Sequence, residues 1–132
     1  MNPDILKRIE TLNVGDLVEV NWLDASEGKT ETLADTVFDI PVKTAGFFVG
    51  VYGKRMKHVI VLKEIFEGLD VHYNSIPVGM IETLEIHKRN ALTPETIKAL
   101  KPVIKKIKSR ISRIQKTQAL GGRIKYDGRG IK

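Results

Sequence analysis

Residues 44–65 read TAGFFVGVYGKRMKHVIVLKEI, and this stretch decides the fold. Its second half, HVIVLKEI, alternates Val59, Val61 and Lys63 with Ile60, Leu62 and Glu64. β-branched residues at that two-residue period predict a strand. The first half is strand-like too, rich in aromatic and small residues. Gly46, Gly50 and Gly53 predict bends or bulges where a small sheet curls. Between the halves, KRMK forms a basic turn bearing Lys54, Arg55 and Lys57.

Working outward, GDLVEVNWLDAS predicts an earlier strand, with Val18, Val20 and Trp22 alternating with Glu19, Asn21 and Leu23. EGKTET is a polar loop. LADTVFDIP suits either a strand or a helical turn closed by Pro41. Downstream, FEGLD reads as a turn, and VHYNSI and GMIETLEIH as strands joined through IPVG. Five or so short strands within about 75 residues leave no room for crossover helices, so a curled sheet or small barrel is expected rather than a parallel α/β fold. The first residues, NPDILKRIE, carry a helix signature: Asn2 as cap, Pro3 at the first helical position and Asp4 at the positive end. Ile5, Leu6, Ile9 and Leu12 fall on one face of it. The expected class is mainly β with helices.

The chain has 132 residues, 42% of them apolar, and fits one domain with an appendage. It contains no cysteine, which rules out disulfides and thiolate metal sites. Scarce glutamine and abundant Ile, Val and Lys give a thermophile-like bias. The opening residues do not resemble a signal peptide, and the longest near-apolar stretch is about half the ~20 residues that span a bilayer. A cytoplasmic location without membrane contact is expected.

The net charge of +6 conceals a division. Residues 1–85 hold 8 Lys and Arg against 14 Asp and Glu, a balance of −6, whereas residues 86–132 hold 14 against 2, a balance of +12. An acidic body with a basic arm points to nucleic acid. The organisation expected is a body over 1–90, an amphipathic basic helix over 91–120 and a flexible basic glycine-containing tail over 121–132. Thr93 and Pro94 start the helix, and Gly121–Gly122 are expected to stop it. Ile97, Leu100, Ile104, Ile107, Ile111 and Ile114 recur at alternating three- and four-residue steps, forming a seam. Pro102 is expected to kink or tightly break the helix while keeping that one apolar face. The seam either covers the sheet, which is the preferred reading, or pairs with another chain. An interfacial membrane helix would carry Trp or Phe, which this stripe lacks.

The nucleic-acid-binding residues expected are Lys105, Lys106, Lys108, Arg110, Arg113 and Lys116 on the helix and Arg123, Lys125 and Arg129 beyond it. Lys54, Arg55 and Lys57 join them if the turn lies on the same side. Tyr126 among glycines suits base stacking. RNA is slightly preferred to DNA, with ribonucleoprotein association one concrete form. The alternative is a structural module, a homo-oligomer in which the basic arm docks on the acidic body of a neighbouring copy.

Nothing in the chain demands catalysis, a cofactor or a small-molecule substrate. His58, His72 and His87 lack metal-ligand spacing. Only a juxtaposition of His72, His87 and Asp70 on adjacent strands would bring ligands together. GVYGKRMK has neither the spacing nor the hydroxyl of a phosphate loop.

Taken together, GDLVEVNWLDAS, TAGFFVGVYGKRMKHVIVLKEI and IPVGMIETLEI resemble small β-barrels of the Sm-like or Src-homology-3-like type, a pattern associated with short prokaryotic and viral proteins. The resemblance covers about residues 14–87 and none of the arm. It implies a barrel that serves as a platform for RNA, DNA or peptide. MIETLEI stands where an Arg-Gly pair closes the second Sm motif, so no uridine-binding residue is implied here.

Overall fold

The computed structural model describes residues 3–24, 40–67 and 70–124, with side chains as far as Gln115. Along the chain come α1 (Pro3–Glu10), β1 (Leu17–Asp24), β2 (Ile40–Tyr52), β3 (His58–Phe66), β4 (Asp70–Pro77), a 3-10 turn (Val78–Met80), β5 (Ile81–Lys88) and α2 (Pro94–Ile124). The strands make one antiparallel sheet in the order β4-β3-β2-β1-β5. The first four form a meander, and the fifth returns to lie beside the first. The sheet does not close: β4 and β5 are its edges. The expected class, mainly β with a short first helix and a long last one, is the one observed.

β3 explains the layering. Val59 and Val61 are buried on one face of the sheet, and Ile60 and Leu62 on the other. The first face packs Val18, Val20, Phe48, Ile76 and Leu84 together, with Ile5 of α1 covering them. The second face packs Val49, Ile60 and Leu62 against Leu100, Ile107 and Ile111 of α2. Each such side chain contributes about 1.5–3 kcal/mol when fully buried, so neither face can be left wet. The seam's preferred destination was therefore the right one for its central residues. Ile104 is partly buried in the same cluster, whereas Ile114 remains 48% exposed.

β2 can serve both faces because it changes phase. Phe48 pairs with Val61, but Gly50 pairs with Ile60, leaving Val49 as an extra residue. Gly50 takes a positive φ of 152° at this bulge, a conformation that suits glycine. Gly46 does a different job, since a Cβ there would run into the carbonyl of Leu62 on β3. Both positions were expected to bend the sheet, but only Gly50 marks a bulge.

Three expectations need correction. Pro41 does not close the preceding element: it is the second residue of β2, paired with Leu23, and near a strand end its missing N–H is tolerated. The LADTVFD segment itself lies outside the described residues. Leu6 is 40% exposed, because only Ile5, with Ile9 and Leu12 partly buried, faces the core. Gly121–Gly122 do not stop α2, which runs to Ile124. Glycine lowers helix stability by about 1 kcal/mol per residue without forbidding the conformation. The helix begins as expected, with the Thr96 N–H donating to Thr93 Oγ1 at 3.1 Å, and Pro102 lies inside one continuous element.

Leu100 is fully buried between α2 and the sheet, and Ile114 is not. Urea denaturation should therefore show Leu100→Ala losing about 2–5 kcal/mol. Ile114→Ala should lose under about 1 kcal/mol.

Candidate nucleic-acid interface

Docking the seam dictates what α2 shows outside. With Leu100, Ile107 and Ile111 turned inward, Lys98, Lys101, Lys105, Lys106, Lys108, Arg110 and Arg113 are all exposed. Ser109 and Ser112 lie exposed among them. The helix carries one carboxylate, Glu95, in its first turn, where a negative charge suits the amide end. Of the other expected binding residues, Lys116 and Arg123 fall on the helix beyond the described side chains. Lys125, Tyr126 and Arg129 lie outside the described residues.

The β2–β3 turn is tied to this surface. Gln115 Nε2 donates to the Met56 carbonyl at 2.6 Å, and the Arg55 N–H donates to Gln115 Oε1 at 3.3 Å. The Lys108 ammonium lies over the Tyr52 ring, 5.7 Å from its centre. The Tyr52 hydroxyl donates to the Val49 carbonyl at 3.3 Å, and burial raises its pKa. Lys54, Arg55 and Lys57, all exposed, thus stand beside the basic side of α2. Gln115 makes this juxtaposition, and nothing in its sequence context marks it: its two backbone partners lie about sixty residues away.

A second feature missed by sequence reasoning fixes where α2 starts. Asp16, fully buried, accepts the Asn13 N–H at 2.9 Å, the Asn90 N–H at 2.8 Å and an Arg89 guanidinium N–H at 2.8 Å. The same Arg89 nitrogen donates to the Thr11 carbonyl. Burial alone would raise the Asp16 pKa, but the two backbone donors and the guanidinium together hold it below its ordinary value of 3.8. The Leu92 N–H then donates to the Gly15 carbonyl at 3.1 Å. The loop after α1 and the connection from β5 to α2 are therefore locked together. Arg89 also joins Lys7, Arg8, Thr11, Asp4 and Ile86 around an open groove between α1 and β5.

The histidines do not converge. His72 lies on β4 and His87 on β5, at opposite edges of the sheet, so the juxtaposition with Asp70 is not assembled. His72 Nδ1 lies 2.8 Å from Glu64 Oε1, and its ring meets Phe66 edge-on. His87 Nε2 lies 3.0 Å from Glu19 Oε1, while Lys43 Nζ lies 3.5 Å from the other oxygen. The hydrogen bond with His87 and the charge of Lys43 lower the Glu19 pKa against a smaller opposing effect of burial. Glu85 lies opposite Glu19 and completes a group whose ligand atoms are within 4.8 Å of one another. Glu19 in this largely exposed group is already engaged by His87 and Lys43.

No family model, curated protein or solved structure matches the chain. Among the described residues, no helix is long and apolar enough to cross a membrane.

Two outcomes follow from these contacts. Asp16→Asn should lower stability at neutral pH by about 2–3 kcal/mol, because it weakens three hydrogen bonds to a buried charge. The folded-state pKa of Asp16 is depressed, so its contribution is complete above about pH 5 and fades as pH falls through the folded value. The gap between wild type and variant in denaturation curves should therefore narrow in acid. Gln115→Ala should leave global stability within about 1 kcal/mol while speeding hydrogen exchange at the Arg55 amide.

Proposed function

We propose that this is a non-catalytic nucleic-acid-binding protein whose contact surface is the outer side of α2 with the adjoining β2–β3 turn. The observation that carries the reading is the sorting of α2. Most of its apolar stripe is spent on the protein's own sheet, so its cations from Lys98 to Arg113 are presented outward, with a single carboxylate among the residues of that helix. A rigid sheet beneath the helix holds those cations in fixed register, which lowers the entropy lost on binding. Phosphates are the chemistry such a surface takes, and DNA and RNA offer them alike.

The Sm-like or Src-homology-3-like resemblance remains part of this proposal. The sheet order and the short turn before β5 are compatible with a platform of that kind, although the sheet is open and the cationic surface lies on α2, outside the region of resemblance. A cytoplasmic setting, in keeping with the absence of cysteine, belongs to the same proposal.

The rival reading places the basic arm against the acidic body of a second copy. It requires a particle mass that falls as salt rises, and purified protein free of nucleic acid.

Binding should be weakly sequence-dependent and steeply salt-dependent. A surface neutralising about six phosphates on a duplex gives a log–log salt slope near −5, or roughly a thousandfold loss between 50 and 200 mM salt. Fluorescence anisotropy should find this for the full chain. Lys105→Glu with Arg113→Glu should abolish the binding while leaving the thermal unfolding curve nearly unchanged, both side chains being exposed. Salt-insensitive binding, or binding that survives both reversals, would count against the proposal. Deleting α2 is a poor substitute for these reversals, since it would strip the cover from Ile60 and Leu62.

A further inference from the structure

Resting on the phosphate-binding reading, the shape of the surface narrows the ligand. Lys105, Ser109 and Arg113 follow one another at four-residue spacing and form a row along the exposed side of α2. Two shallow depressions share this row, one extended by Lys108 and Ser112 and the other by Lys106 and Arg110. Cations thus stand on the crest of a helical ridge and on both of its flanks. A ridge cannot enclose a single strand, but it can enter a groove between two rows of phosphates.

Among the described residues, base stacking is also poorly served on this side. Single-strand binding without sequence preference combines a basic channel with exposed aromatic rings. On this face of the sheet, Phe47, Tyr52 and Tyr73 are partly buried in the cluster that α2 covers. Phe66, 43% exposed, is the one large exposed aromatic among the described residues. It lies at the far end of β3 from the basic turn, about 26 Å away at 3.3 Å per residue.

We propose that α2 enters the major groove of B-form duplex DNA, with Lys105, Ser109 and Arg113 toward the base edges and the two flanks on opposite phosphate rows. The dimensions agree: a helix with its side chains is about 10–12 Å across, and the B-form major groove is about 12 Å wide. The major groove of A-form RNA is too deep and narrow for side chains to read. Lys and Arg facing base edges favour guanine, whose major-groove edge offers two acceptors.

The test compares duplex DNA, duplex RNA of the same sequence and the single DNA strand, each titrated with the full chain by anisotropy at 50 and 200 mM salt. Duplex DNA should bind most tightly, and bound protein should protect guanine N7 from methylation. Lys101→Ala with Lys108→Ala removes cations from one flank, and Lys106→Ala with Arg110→Ala from the other. Each pair should weaken duplex DNA binding roughly 30-fold near physiological salt and reduce the salt slope by about two. Unprotected guanine N7, equal affinity for duplex RNA or the single strand, or an effect confined to one flank would overturn groove entry while leaving phosphate binding in place. Failure of all three nucleic acids to bind in a salt-sensitive way would overturn both proposals.

Discussion

A strand that is apolar on both sides constrains the whole architecture. Val59 and Val61 face one side of the sheet, Ile60 and Leu62 the other, and all four are fully buried. A half-buried strand needs only one cover, as in most antiparallel sheets. β3 needs two, and the chain provides them from its ends: α1 over one face and α2 over the other. The bulge at Gly50 follows from the same demand, because β2 must deliver Phe48 to one cluster and Val49 and Tyr52 to the other.

The polar contacts then determine how precisely the second cover sits. Asp16 joins the loop after α1 to Arg89 and Asn90, just ahead of α2, and Gln115 fastens the helix to the β2–β3 turn near its other described end. Between these two anchorages the buried seam residues fix the rotation of the helix about its own axis. That rotation alone decides which cations face outward. A buried carboxylate with three donors is a demanding device, because losing a partner leaves charge uncompensated. Its position where the loop after α1 meets the β5–α2 connection accounts for its use.

Local patterning was legible wherever a side chain's role depends on its immediate neighbours. The alternation around Val18 and Val20, the apolar run from Val59 to Leu62 and the Thr93–Pro94 start signal all predicted elements that are present. The seam at Leu100, Ile107 and Ile111 was readable as a face, and its preferred destination proved correct. Boundaries were less legible: Pro41 sits inside β2, and the glycine pair at 121–122 sits inside α2. In both cases a residue unfavourable on its own is tolerated within a longer element whose remaining bonds and packing outweigh it.

By itself, the sequence determined a mainly β body between two helices, with an excess of positive charge confined to the C-terminal part. These properties are additive along the chain, so composition and periodicity express them directly. The tertiary structure alone decided that the sheet stays open, that the KRMK turn stands beside α2, and that Asp16 and Arg89 meet across 73 residues of sequence. It also decided that His72 and His87 stay apart, at opposite edges. Such pairings arise from strand order and from the two-sided burial of β3, and no local signal encodes which distant groups those constraints bring together.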